Sequence, residues 1–454
     1  MYIRMTRNTK GFDIAAFVAL LSIVSSSVNA SRTLRYEPSA EITQDFNFDS
    51  EPPATDKGKN QGFVTVNGTE FYLDGKPWHC AGTNAYYAAI TDRLTPGEVD
   101  ELFKTHAEKG ATVLRVFAHS DGASSTSNPI QPSLGVYNED ALKRLDLVLF
   151  SAAKYGIRLI LPFTNYEPFL GGIQWYAEQV GGLGADKEIF YTDAKARDAY
   201  ISYVTMLLNR KNTLNNLKYS NDPTIFALEL MNEPHTRDNW EKNRGLSPQG
   251  KIVGDWIRDM AAFIKGIDSN HILLTGEEGY RTEGPSTMSS GNHVWINNGL
   301  KGVNFARNCA DPNIDACTIH AYPDNWGYSA DQYQNYGKDF MADRAAVAHA
   351  LNKPILMEEY GMRSGYLPTR DDLMRYLQDE AEKAGYACSL VWSASVDGIG
   401  KDSGSYIFRY GEDGSEALAE EYYNESGEEK SSGSANEEAV SLFSAPAQEK
   451  EDTN

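Results

Sequence analysis

Apolar positions along the chain alternate between two periods. Short runs rich in β-branched residues occupy 78–83, 112–118, 157–163, 225–231, 272–276, 316–319, 355–359 and 388–392. Longer stretches with helical spacing lie between them. In 139–155, Leu142, Leu145, Val148, Leu149 and Ala152 recur every three or four residues, and Ile252, Trp256, Met260, Phe263 and Ile267 do the same further on. Near-continuous apolar strands separated by crossover helices predict a parallel sheet covered on both faces. Eight such units over about 350 residues predict a closed (β/α)8 TIM barrel in a single catalytic domain. The competing architecture is an open doubly wound sheet, but no GxGxxG or GxxxxGK[ST] follows any strand. There is no internal repeat.

The ends of the chain differ from this pattern. Arg4, Arg7 and Lys10 precede an apolar run, IAAFVALLSIV (14–24), too short to span a bilayer comfortably, and Val28 and Ala30 stand at −3 and −1 of a cleavage site. Residues 1–30 therefore read as a signal peptide and the protein as secreted, with no membrane association after cleavage. Residues 31–60 are polar and aperiodic, a flexible lead-in. The barrel is expected over 61–423. Residues 424–454 are rich in Ser, Glu and Gly and read as an acidic disordered tail, because they bury too little to offset ordering entropy.

Composition narrows the partner. Lys and Arg number 42 against 63 Asp and Glu, a net charge of −21, which disfavours nucleic acid and anionic surfaces. The 26 Tyr and 7 Trp outnumber the 18 Phe, a bias that suits a carbohydrate surface without deciding for one. The 8 His show no HExxH or paired spacing, so no metal or other cofactor is expected. A monomer is expected. Four Cys permit three pairings. Parity places Cys80 and Cys388 on the barrel-facing side of the first and eighth strands, where they read as free buried thiols. Cys309 and Cys317 are close enough to staple the loop before the sixth strand. Asn67-Gly68-Thr69 and Asn424-Glu425-Ser426 are glycosylation sequons.

Function in such a barrel gathers at the C-terminal strand ends. The fourth strand runs out into Asn232-Glu233-Pro234 and the seventh into Glu358-Glu359-Tyr360-Gly361. Two carboxylates across one barrel mouth are what glycoside hydrolysis needs: one to protonate the leaving oxygen and one to attack the anomeric carbon. Arg115 closes the second strand, where a buried guanidinium needs a carboxylate partner, and Glu359 is the natural one. Asn84, Asn165, His320, Tyr322 and Trp392 close other strands and offer hydrogen bonds or a stacking face to a sugar.

These residues sit in segments that resemble glycoside hydrolase family 5, and within it the endo-β-1,4-mannanases. The segments are GTNAYY (82–87), LRVFAH (114–119), NYEPFLGG (165–172), NRKNT (209–213), DPTIFALELMNEP (222–234), GIDSNH (266–271), TIHAYPDNW (318–326), KPILMEEYG (353–361) and VWSA (391–394). The resemblance is collinear over roughly 62–400. It implies a retaining endo-acting enzyme on a β-mannan polysaccharide, with Glu233 as acid/base and Glu359 as nucleophile. It also implies that Asn232 holds the sugar 2-hydroxyl, that His320 and Tyr322 orient the carboxylates, and that Asn84, Asn165, Glu278, Trp326 and Trp392 line the groove. Glu358 is set aside because neighbouring strand residues point opposite ways. On this reading an ionised Glu359 holds the Glu233 pKa up while Arg115 and Tyr322 keep Glu359 low. His235 stands where the mannanase pattern has Arg, either as a surface loop residue or with Arg237 replacing that Arg. Another family 5 β-glycanase, such as a cellulase, shares the machinery, and a non-catalytic carbohydrate-binding barrel is the reading from a different class.

Overall fold

A computed structural model describes residues 62–122, 126–247, 249–282, 294–329, 332–363, 370–396, 399 and 408–409. Residues 1–61 and 410–454, where the signal peptide, the lead-in, the end of the barrel domain, the tail and Asn424 are expected, lie outside the described residues. Eight parallel strands form the central sheet: β1 (Cys80–Asn84), β2 (Val113–Arg115), β3 (Arg158–Pro162), β4 (Ile225–Glu229), β5 (Ile272–Leu274), β6 (Cys317–Ala321), β7 (Ile355–Tyr360) and β8 (Cys388–Val391). Their order is β5-β4-β3-β2-β1-β8-β7-β6, so the first and eighth strands adjoin. Each expected run holds one strand, and the barrel reading stands.

The seam between β5 and β6 is closed differently. Asp315 N–H donates to Leu273 O at 3.0 Å and His320 N–H to Glu278 O at 3.4 Å. Between them the Thr318 hydroxyl accepts from Glu277 N–H at 2.8 Å. A side chain thus replaces ladder bonds where the strands diverge.

Local chemistry starts and stops the crossover helices. α1 (Pro96–Glu108) opens with Pro at its first turn and a Thr95–Glu98 capping box. α2 (Glu139–Tyr155) is capped by Asn138 and ended by Gly156 at φ 77°, a left-handed turn that glycine adopts without a Cβ penalty. α3 (Ala194–Asn209) is capped by Asp193. α4 (Lys251–Ile267) buries Val253, Trp256, Ile257, Met260, Ala261 and Ile264, whereas Ile267 is 41% exposed. α5 (Ala342–Ala350) and α6 (Arg370–Lys383) follow β6 and β7. Among the described residues no helix is long and apolar enough to cross a membrane.

One element escaped sequence reading. Strands Val64–Asn67 and Glu70–Leu73 form an antiparallel hairpin, joined by Lys76–Pro77. Phe71 packs edge-on against Phe226 at 5.0 Å, and Val64 and Phe71 share a buried cluster with Val113, Ile160, Leu356 and Leu390. This places the hairpin against the strand interior, away from the C-terminal ends. It presents Asn67 to solvent.

The disulfides correct one half of the cysteine reading and agree with the other. Cys80 and Cys388 are register partners on β1 and β8 with Cα atoms 4.6 Å apart, and they are bonded rather than free. Cys309–Cys317 closes the loop before β6.

Candidate active site

Arg115, at the end of β2, organises the mouth. Its five N–H donors each find an acceptor. Nε and Nη2 grip both oxygens of Glu229 at 2.8 and 2.7 Å. Nη1 bonds Asn84 Oδ1 at 3.1 Å and Glu359 Oε1 at 2.6 Å, and Nη2 also bonds Asn232 Oδ1 at 2.6 Å. Arg115, Glu229 and Glu358 are all 0% exposed. A guanidinium is tolerated here because every proton is paired.

The other Glu359 oxygen accepts from the Tyr322 hydroxyl at 2.7 Å. His320 Nδ1 lies 2.8 Å from Glu233 Oε1 and 3.4 Å from Glu359 Oε2, so one imidazole bridges the two carboxyls. Oxygens of Glu233 and Glu359 and a His320 nitrogen all lie within 4.8 Å of one another. That spacing would also suit a divalent ion. Arg115 and Tyr322 already engage both Glu359 oxygens, however, so the set is better suited to proton transfer and nucleophilic attack.

Glu233 reaches this position through an unusual backbone. Its φ is 54°, in the left-handed region, and its N–H donates to Gly276 O at 2.8 Å. A Cβ on Gly276 would lie 2.0 Å from Met231 O, so only glycine permits that approach. The Glu233 side chain keeps 19% exposure towards solvent, whereas that of Glu359 has 4%.

The alternation argument against Glu358 fails. Met357 pairs with Ile319 and Glu359 with His320, so β7 carries one residue more than β6, and the same slip recurs against β8. A β-bulge at an active-site strand end re-aims side chains. Both glutamates therefore turn to the same cluster. Glu358 Oε1 is 3.5 Å from Arg115 Nε and Oε2 is 3.7 Å from His320 Nε2. Glu359 alone contacts Tyr322 and lies near Glu233.

The expected order of acidities is also reversed. Burial raises the Glu233 carboxyl, but the hydrogen bond and charge of His320 outweigh it and hold Glu233 below the usual range. Burial pushes Glu359 up, and the charges of His320 and Arg115 offset this only in part. His320 itself is raised well above an ordinary imidazole: burial opposes its charge, but Glu359, Glu233 and Glu358 favour it more. His320, whose charged form the three carboxyls favour, lies one hydrogen bond from Glu233.

The remaining expected residues divide. Asn232 Nδ2 donates to Asn165 Oδ1 at 3.0 Å, which orients both amides beside Arg115. Asn84, expected along the groove, is 0% exposed and donates to Glu358 O at 3.0 Å. Its amide serves the strand ends instead. Trp392 is half-buried, its ring stacked on Tyr86 at 5.1 Å and 8°. Trp326 is 6% exposed inside an aromatic cluster with Tyr280, Trp295, Tyr336 and Phe340. Glu278 accepts from the Tyr280 hydroxyl at 2.6 Å. His235 is no surface residue, with 8% exposure, and Arg237 does not stand in for an active-site Arg, because it is bound to Glu188 and Asp186. Sequence reasoning missed Glu229. The available signal was a carboxylate inside an otherwise apolar strand, Ile225–Glu229, facing an Arg that needs several acceptors.

Similarity to known proteins agrees with this geometry. A family model described as "GH family 5 beta-mannosidase-like" matches residues 61–373. Mannan endo-1,4-beta-mannosidase 1 of Oryza sativa subsp. japonica is 36% identical over 377 residues, 78% of this chain and 83% of the relative. Mannan endo-1,4-beta-mannosidase 7 of Arabidopsis thaliana is 33% identical over 76% of this chain and 80% of its own length. Among solved structures, the endo-1,4-beta-mannanase of Rhizomucor miehei superposes with a TM-score of 0.67 at 28% identity, covering 80% of this chain and 98% of that one. The endo-1,4-beta-D-mannanase of Thermotoga petrophila RKU-1 gives 0.69 at 25% identity, covering 76% and 99%. A barrel whose mouth pairs Glu233 and Glu359 through one imidazole, matched over most of its length by such relatives, belongs to glycoside hydrolase family 5.

Proposed function

We infer that this chain is a secreted, monomeric, retaining endo-β-1,4-mannanase that cleaves internal bonds of mannan, glucomannan or galactomannan. The observation that carries the reading is the close approach of the Glu233 and Glu359 oxygens, within 4.8 Å through the His320 bridge. Retention needs carboxyl groups about 5–5.5 Å apart, while inversion needs about 6.5–9.5 Å to admit a water. The mannan preference rests on the relatives' named activity. Two disulfides suit an oxidising compartment and support the signal-peptide reading of residues 1–30.

In the first step a Glu359 oxygen attacks the anomeric carbon. The glycosidic C–O bond breaks, and Glu233 gives its proton to the departing oxygen. That proton reaches Glu233 from His320 along the 2.8 Å hydrogen bond, as the sugar excludes water and the ionised Glu233 loses solvation. Arg115 and the Tyr322 hydroxyl hold Glu359 in line and stabilise its charge until the ester forms. In the second step Glu233 takes a proton from water, the hydroxide oxygen bonds the anomeric carbon, and the ester breaks to restore Glu359. Asn232, fixed by Arg115 and Asn165, is placed to bond the sugar 2-hydroxyl.

Reducing-sugar release should be seen on galactomannan and glucomannan and be weak on carboxymethylcellulose. Proton NMR of the first products should show the β-anomer. Activity on cellulose alone would move the substrate to another β-glycan, and an initial α-anomer would remove the double displacement.

A further inference from the structure

Beside the reacting carboxyls lies a buried group that the steps above do not use. His235 Nδ1 is 2.9 Å from the backbone oxygen of Glu233 and 3.5 Å from Glu278 Oε2. A carbonyl oxygen only accepts, so Nδ1 carries the proton and the 2.9 Å contact is a hydrogen bond donated by the ring. The ring is held on several sides. Its centroid is 3.6 Å from that of Tyr166, Tyr280 meets it edge-on at 6.2 Å, and the Tyr191 hydroxyl donates to the His235 carbonyl at 2.8 Å. Tyr166 is in turn tied to the same turn, its N–H donating to Asn232 O at 3.0 Å.

The peptides on both sides of Glu233 are therefore fixed. Its N–H is spent on Gly276 O and its carbonyl on His235. That matters because φ at Glu233 is 54°, a conformation a side-chain-bearing residue leaves unless its surroundings hold it. Rotation back to ordinary φ would swing the carboxyl away from His320 Nδ1 and from the sugar oxygen it must protonate. We propose that His235 is a positioning residue for proton transfer: its Nδ1–H, donated to the Glu233 carbonyl, keeps the acid/base in its left-handed turn. Burial lowers the His235 pKa to about 3, and Nδ1–H donates in this neutral tautomer as it does in the charged ring.

The inference rests on Glu233 being the proton donor, and the experiment separates the two ideas. Variants H235Q, H235N and E233A of the full chain are assayed for kcat/KM on two substrates. One is β-1,4-mannan, whose leaving hydroxyl needs a proton. The other is a dinitrophenyl β-mannobioside, whose leaving phenolate departs without one. Asn presents its amide N–H near the place of Nδ1, whereas Gln presents its own near Nε2. H235Q should lose roughly tenfold or more on mannan, part of the 10²–10⁴ that acid–base catalysis supplies, and stay within about threefold on the aryl substrate. H235N should recover to within about threefold of the parent on both. Equal losses on both substrates, or an H235N no better than H235Q, overturn the positioning role. E233A must itself lose far more on mannan than on the aryl substrate. A flat E233A profile instead removes Glu233 as the acid, and the inference with it.

Discussion

Arg115→Lys tests how far the site depends on a fork of donors rather than on a positive charge. Arg115 makes five hydrogen bonds to four side chains, three of them to the carboxylates Glu229 and Glu359. An ammonium has three donors, so at least two bonds are lost while the charge is kept. Hydrogen bonds to charged groups are worth about 1.5–3 kcal/mol each, so the loss is about 3–6 kcal/mol. For the roughly 315 described residues at about 2.1 cal/mol/K each, the entropy of unfolding is near 0.7 kcal/mol/K, and the melting temperature should fall by about 4–9 °C. Turnover should fall about a hundredfold, because Glu359 loses the contact that aims it. Calorimetry and mannan kinetics on the same preparations read both effects. A double-mutant cycle with Glu229→Gln should show coupling of about 0.5–3 kcal/mol, since the residues touch. A melting shift under about 1 °C, well below the figure the lost bonds give, would show that the network contributes charge alone.

Glu359→Ala should abolish turnover with little change in unfolding temperature, while Glu358→Gln keeps measurable turnover. A dead Glu358→Ala beside an active Glu359→Ala would reverse the nucleophile assignment. Burial raises Asp121 from 3.8 to about 8, with only a Gln131 hydrogen bond and a backbone bond opposing it. Between about pH 4 and 8 the unfolded chain gives up this proton and the folded chain keeps it, so Asp121 makes stability fall by about 1.4 kcal/mol per pH unit. Asp121→Asn should flatten the pH dependence of the melting temperature in that window, and an unchanged slope would mean that the native carboxyl is ionised. The Cys80–Cys388 bridge spans 308 residues and Cys309–Cys317 spans 8. On chain entropy their removal costs about 5–6 and about 2–3 kcal/mol, so paired Ser variants should rank in that order by urea unfolding. The reverse order would show that the short bridge acts through the native state.

Several of these outcomes depend on what the strands looked like in one dimension. Period and composition decide where apolar strands lie, because a barrel strand buried on both faces is apolar along most of its length. All eight runs were therefore legible, and so was the meeting of Glu233, Glu359, Arg115 and Tyr322 at one mouth, since each stands at or just beyond the end of such a strand. The hairpin at Val64–Leu73 was missed because its strands are half-exposed and broken by polar residues, Thr65, Asn67 and Glu70, and so lack the continuous apolar run that marks the barrel strands.

Only the tertiary structure decided matters that turn on one extra residue or on distance across the barrel. The bulge in β7 brings Glu358 to the same cluster as Glu359, and strict alternation cannot show an insertion in register. Cys80 meets Cys388 because the first and eighth strands close the circle, 308 positions apart. The acidities of Glu233 and Glu359 follow from His320 standing between them, and the role of His235 follows from a carbonyl 2.9 Å away. Sequence carries the local free energies of strand, helix and cap. Charge coupling falls with distance through space, and the chain order does not encode that distance until the barrel has closed.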